Sequence, residues 1–329
     1  MRFGAFVPQG WRLDLAGIPV EEQWDTMLGV ARAIEAAGYE SAWVYDHFHT
    51  VPQPTQEPTY EAWTLMAALA ASTERVRLGQ MCTANSYRMP SYLAKVAASV
   101  DVISGGRLEM GIGAGWYEHE YRGYGYEFPK PAVRIGQLAE GVEIMRRMWT
   151  EDEVSYSGRF YQLEDAICRP RPRQQPHIPI WVAGGGEQLT LRVAARHASY
   201  TNFGGGDLEV FRRKSGVLAE HCRREGTDFD AITRSGNFNI IIAPSEREVK
   251  EKLAWLRRHY GAYLADDKVE GYVASLTRVG LVGTPEQIAE QLAPWKEAGL
   301  GYVIAYCPDA AYTTESLDLL AQVGSAVSA

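Results

Sequence analysis

The chain is poor in cysteine, in basic surface and in long apolar runs. Its four cysteines, at 82, 168, 222 and 307, stand far apart and form no C-x-x-C pair. That pattern excludes a cysteine zinc site and fits a reducing compartment. No stretch approaches the ~18 uninterrupted apolar residues of a membrane span. The first residues, M-R-F-G-A-F-V-P, lack a signal peptide's apolar region and cleavage site, so the expectation is a cytoplasmic protein. Against 41 Asp and Glu there are only 33 Lys and Arg, a formal charge of −8. A nucleic-acid partner, which needs a basic face, is not expected. No low-complexity tract or short repeat interrupts the 329 residues.

What the chain does have is glycine in one telling place. Residues 105–116 read G-G-R-L-E-M-G-I-G-A-G-W. A short apolar strand, 108–112, runs into glycines at 111, 113 and 115, where a backbone can come close to something flat or charged. The spacing is G-x-G-x-G rather than the dinucleotide fingerprint G-x-G-x-x-G. Two readings stand at this point: a planar cofactor bound in a non-Rossmann manner, or glycines that only make room for a neighbour.

Strands and helices alternate along the chain. Strands are predicted at 2–7, 40–45, 76–82, 108–112, 178–183, 200–203, 237–242 and 302–306. Helices are predicted at 21–37, 61–71, 91–103, 133–149, 188–195, 208–224, 246–260, 285–298 and 315–327, several with apolar residues at the 3.6-residue period. Eight strands, each followed by helix, are the pattern of an α/β fold of the (β/α)8 TIM-barrel type, with residues 1–329 as a single domain. An open doubly wound sheet would usually bring fewer strands or a domain break. The stretch 156–179 reads as an irregular insertion between barrel strands 4 and 5. Its R-P-R-P-R at 169–173 forbids helix and central strand, and its arginines read as solvated loop charges.

In such barrels the chemistry sits at the C-terminal strand ends. Strand two ends in Y-D-H-F-H, giving Asp46, His47 and His49. Strand three ends in M-C-T-A-N, giving Met81, Cys82, Thr83 and Asn85. Strand four ends in G-A-G-W-Y-E-H-E, giving Gly113, Ala114, Gly115, Trp116, His119 and Glu120. Strand five ends in A-G-G-G-E, where Gly184, Gly185 and Gly186 lead toward a helix and form a ready anion site. A rival reading takes His47 and His49, two apart on a strand, as ligands of a metal-dependent hydrolase. It needs further ligands from later strand ends, and the other histidines (119, 177, 197, 221, 259) supply none clearly. No metal is expected. Cys82 has no adjacent base and reads as a packing residue.

These residues carry a resemblance. V-Y-D-H-F at 44–48, E-A-W-T-L-M-A-A at 61–68 and S-T-E-R-V-R-L-G at 72–79 begin it. L-A-K-V-A-A-S-V-D-V-I-S-G-G-R at 93–107, M-G-I-G-A-G-W-Y-E-H-E at 110–120 and P-I-W-V-A-G-G-G-E at 179–187 complete it. The chain resembles the luciferase-like monooxygenase superfamily, and within it the oxidoreductases that depend on the deazaflavin coenzyme F420. The resemblance spans nearly the whole chain. It implies an oxidoreductase that exchanges a hydride between the deazaflavin and a small-molecule substrate, with no membrane partner and a homodimer as the expected assembly. The alternative it leaves is a flavin mononucleotide (FMN) monooxygenase fed by a separate reductase.

The resemblance also implies roles. Asp46 and His47 would lie against the cofactor ring, with a non-proline cis peptide at Met81–Cys82 beneath it and Thr83 beyond. Gly113, Ala114, Gly115 and Trp116 would run beside the ring. Gly184, Gly185 and Gly186 would receive the tail phosphate, and Thr201 or Asn202 would bond the tail. His47 is the first candidate for the proton source, an imidazole titrating near neutral pH, with His119 and Glu120 behind it. Trp11, Tyr45, Trp63 and Trp116 are candidates for the substrate wall. One departure concerns the substrate. The sugar-phosphate dehydrogenases of this branch carry a catalytic glutamate where this chain has Trp116. Strand six, A-S-Y-T-N at 198–202, departs from the A-D-G-W common there.

Overall fold

The structure, a computed structural model, describes residues 1–328. The barrel strands are β1 (Arg2–Phe6), β2 (Ser41–Val44), β3 (Arg77–Gln80), β5 (Leu108–Gly113), β8 (Ile180–Ala183), β9 (Tyr200–Gly204), β10 (Thr233–Ile242) and β12 (Tyr302–Tyr306). They run parallel in that order. β12 pairs with both β1 and β10, so the sheet closes on itself. Between them stand the helices α1 (Val20–Ala36), α2 (Ala62–Ser72), α3 (Pro90–Ile103), α4 (Glu118–Gly123), α5 (Pro131–Thr150), α6 (Thr190–His197), α7 (Leu208–Glu225), α8 (Glu246–Gly261), α9 (Asp266–Arg278), α10 (Pro285–Glu297) and α11 (Glu315–Ser328). This is the expected (β/α)8 barrel.

The closed sheet separates two apolar cores. Outward side chains such as Ala5, Ala42, Val44, Leu78, Leu108 and Val303 pack against the helices. Inward ones, among them Phe6, Trp43, Trp181, Tyr302, Ile304 and Tyr306, fill the barrel. Strand residues alternate between the two sides with period two. Aromatic rings plug the interior: Trp181 stacks on Tyr200 at 4.0 Å and meets Trp43 edge-on at 4.8 Å. The barrel interior is therefore filled, and along its axis open space lies above the plug, at the C-terminal mouth.

Four features differ from the sequence reading. The third predicted strand breaks: β3 ends at Gln80, the Met81–Cys82 peptide is cis, and a short β4 (Thr83–Ala84) then pairs with β5. Within the insertion, β6 (Val154–Ser157) and β7 (Gln162–Ala166) form an antiparallel hairpin. Arg169 and Arg171 of its Pro-rich limb pair with Asp152 at the surface. Residues 262–276, which no predicted helix covers, contain most of α9. Its buried Val269, Tyr272, Val273 and Leu276 carry the i, i+3, i+4, i+7 pattern of an amphipathic helix. After α9, β11 (Leu281–Gly283) adds to the outer end of β10.

Candidate functional site

Two adjoining spaces open at the barrel mouth. The larger, 390 Å³, lies between the ends of β3, β5, β8 and β9 and is lined by Met81, Cys82, Gly113, Gly115, Arg134 and Asn202 among others. The smaller, 210 Å³, lies over β2 and holds His47, Trp11, Tyr45, Asp46, Ala84 and Tyr117. Met81, Cys82, Gly115, Trp116 and Asn237 line both. The glycines matter here. A Cβ on Gly113 would come within 2.7 Å of Cys82 Sγ and 3.3 Å of Ala183 O. Gly115 has φ +76°, a backbone that side-chain-bearing residues rarely adopt. The long, smooth cleft beside β5 thus depends on glycine, and a flat ring fits it.

His47 is held from two sides. Its ring stacks on Trp11 with centroids 4.0 Å apart, and its Nδ1 lies 2.8 Å from Glu120 Oε2. Glu120 is fully buried. It also accepts from Tyr87 Oη at 2.9 Å and from the backbone N–H of Phe48 at 2.7 Å and His49 at 2.9 Å. Burial alone would push this carboxyl up, but the bond to His47 and those backbone donors outweigh it and hold it below its ordinary range. An ionised carboxylate only accepts, so Nδ1 of His47 donates and Nε2 is the ring nitrogen left outside that bond. Glu120 therefore positions His47 and has no path to a substrate. His119 is exposed. Its Nδ1 meets His49 Nδ1 at 3.0 Å, away from the ring of His47. The two strand-end histidines thus turn to different partners, and neither geometry suits the metal reading.

The remaining expected site residues divide by the side of the strand they occupy. Met81, Cys82, Gly113, Ala114, Gly115, Trp116 and Gly184 line the larger cleft. Thr83 and Thr201 do not. Thr83 Oγ1 donates to Gln80 Oε1 at 2.7 Å, while its neighbours Cys82 and Ala84 face the mouth. Thr201 is fully buried on the helix-facing side of β9, and the adjacent Asn202 takes the inward position. Asp46 is almost wholly buried, and its carboxylate is fully engaged. It takes both ends of the Arg88 guanidinium, at 2.7 and 3.0 Å, and the Ala84 N–H at 2.9 Å. That fork ties β4 to the end of β2. Burial, with a smaller push from Asp46, raises the Cys82 thiol to about 12, so it stays protonated and is no nucleophile. Of the aromatic candidates, Trp11, Tyr45 and Trp116 line the mouth and Trp63 is packed in the outer core.

At the far end of the cleft the β8 glycines form a cradle. Gly184 has φ +114°, and its N–H is taken by Asn202 O at 2.9 Å. Among the described residues the N–H groups of Gly185 and Gly186 meet no acceptor. The helix does not start directly after the glycines. A turn at 187–189 intervenes before α6. Positive charge comes instead from two side chains that the sequence reading missed. Lys214 of α7 lies against Gly185 and makes no ion pair. Arg134 of α5, buried, lines the cleft, lies 4.0 Å over the Phe128 ring and donates to Pro129 O, while its Nε has no partner. Neither carried a motif, because both come from helices that only the closed barrel brings to the strand ends. A flat ring in the glycine cleft and an anionic tail at this cradle fit the residues present.

Comparisons with known proteins place the chain in a family. A family model described as luciferase-like monooxygenase matches residues 1–301. The chain is 29% identical over 303 residues to an F420-dependent glucose-6-phosphate dehydrogenase of Nocardia farcinica, covering 86% of this chain and 88% of that protein. It is 24% identical over 331 residues to an FMNH2-dependent dimethylsulfone monooxygenase of Pseudomonas putida, covering 93% and 90%. Among solved structures, an F420-dependent secondary alcohol dehydrogenase in complex with an F420-acetone adduct superposes with a TM-score of 0.79 at 20% identity, over 99% and 98% of the two chains. That last likeness shows the shared fold.

Proposed function

The chain belongs to the luciferase-like monooxygenase family and is an oxidoreductase of it, and from this premise we propose that it exchanges a hydride between coenzyme F420 and a small organic substrate. The observation that carries the reading is the His47–Glu120 pair beside a glycine-walled cleft. The cofactor, when bound, supplies or accepts the hydride. The chain's own residues do the rest. Gly113, Ala114, Gly115, Met81 and Cys82 would hold the flat ring. Gly185, Gly186, Lys214 and Arg134 would hold the anionic tail. His47 gives a proton to the substrate heteroatom in reduction and takes it in oxidation, while Glu120 keeps the imidazole oriented. Trp11 and Trp116 shield that exchange from water.

A second reading is an FMN-dependent monooxygenase served by a separate reductase, supported by the likeness to the dimethylsulfone monooxygenase. Titrating one cofactor-free preparation with both cofactors separates them. Tighter binding of F420, with loss of turnover but retained binding in His47→Ala, supports the first. Tighter binding of FMN moves the chain to the second.

A further inference from the structure

Beside His47, at the ends of β1, β10 and β12, the mouth carries a cation that makes no ion pair with the described residues. Arg12 follows Trp11 in the β1–α1 loop. Its Nη1 donates to Asn239 Oδ1 at 2.9 Å, and its guanidinium lies 4.0 Å over the Tyr306 ring. Among the described residues no carboxylate stands within ion-pairing distance of it. Asp14, two residues further on, has its carboxyl pushed up by burial, the larger effect, although the guanidinium pulls it down, and its Oδ1 accepts from the N–H groups of Gln9 and Gly10, at 3.3 and 2.7 Å. The tyrosines 45, 260, 272 and 306 stand near the guanidinium, and burial pushes the phenols of 45, 260 and 306 up. A cation so placed is costly unless something anionic meets it.

Donors predominate among the unpartnered polar atoms near it. Arg12 Nε, Trp11 Nε1, Tyr272 Oη and Tyr306 Oη are all buried and without a hydrogen-bond partner. Tyr272 and Tyr306 are 9% and 3% exposed. The indole and guanidinium nitrogens can only donate, and a neutral phenol donates readily. Arg12 Nε and Trp11 Nε1 are donors with nothing to receive them, the two phenols can donate as well as accept, and beside a cation such a set favours an acceptor-rich anion. A carboxylate matches: it is planar, only accepts, and pairs side-on with a guanidinium edge. Arg12 itself is partly exposed. It also adjoins the smaller space. Trp11 stacks on His47, and Tyr45, which lines that space, meets Tyr306 edge-on at 6.5 Å.

We propose that Arg12, with Trp11, Tyr272 and Tyr306, binds the carboxylate of the substrate, so that the enzyme acts on small organic acids whose reacting carbon then lies on the His47 side. The inference rests on the proposed function for the reaction that the site serves, but carboxylate binding can be read without the cofactor.

The test is calorimetry on the full chain, with and without F420, using butyrate and benzoate as probes against butyramide and benzamide. The acids should bind at least about tenfold more tightly than the amides, and more weakly as salt rises. Arg12→Gln should cost about tenfold to a hundredfold in acid affinity, the range of a charged hydrogen bond. Tyr272→Phe, which removes one hydroxyl and little packing, should cost about fivefold. It decides the matter if Arg12→Gln does not fold. Amides binding as tightly as acids, or variants that fold and keep full acid affinity, would overturn the proposal. If the acids bind through Arg12 while F420 does not bind at all, the anion site stands and the proposed function falls.

Discussion

The two sides of the barrel mouth are built on opposite principles. On the side of β2 and β5, the buried carboxylates Asp46 and Glu120 are saturated: three donors meet the first and four the second. Elsewhere around the mouth, at the ends of β1 and β12 and across from them at β8, donors are left over: Arg12, Trp11, Tyr272, Tyr306, Lys214 and the Gly185 and Gly186 N–H groups. A saturated network fixes side chains in place, as a proton-transfer group requires. Unmet donors cost stability by themselves, and their retention is explained by ligands that meet them. The first side is finished by folding, and the second is completed by binding.

The comparison can be broken most severely at Glu120. Glu120→Ala would strand His47, Tyr87 and two backbone N–H groups, and should lower unfolding stability by about 3–5 kcal/mol, read by urea or thermal melts. His47→Ala should reduce kcat by about a hundredfold or more with a smaller loss of stability, because Glu120 keeps three of its four donors. If the two variants lost stability equally, the assignment of positioning to Glu120 and proton transfer to His47 would fail. On the donor-rich side the signature reverses. Lys214→Ala should weaken cofactor binding about tenfold, while stability changes by less than about 0.5 kcal/mol. A large stability loss there would mean that Lys214 serves the fold.

Acid sharpens the contrast further. Glu120's folded pKa is depressed, so the stability it contributes is present above the unfolded value of about 4.3 and is lost as pH falls through the folded one. Glu120→Gln should therefore flatten the acid side of the stability–pH curve, and an unchanged acid limb would contradict the pairing. The smallest effect concerns Cys82. With its thiol raised to about 12, the folded protein should react slowly at this position with thiol reagents at pH 8, as followed by peptide mass mapping.

The strand–helix alternation was legible because period-two and period-3.6 apolar patterns record which face of an element is buried. All eight barrel strands fall within the predicted ranges or a few residues of them. α9 was also written there, in Val269, Tyr272, Val273 and Leu276, but Gly271 and the Asp266–Asp267 start disguised it as a loop. Of the site, the sequence showed which residues stand at strand ends. It could not show which way each one faces: the break in β3 turns Thr83 aside, and Thr201 takes the helix-facing side of β9, so neither lines the cleft.

By itself, then, the sequence determined the barrel, the glycine cleft and the place of His47, because all three are local: periodicity, a run of glycines, a strand end. The tertiary structure decided the partners. That Glu120 serves His47, that Asp46 serves Arg88, and that Arg12 and Lys214 stand without carboxylates all depend on contacts between residues far apart in the chain. Only closure of the sheet brings those elements to one mouth, so charge compensation, and with it chemical role, is a property of the folded barrel.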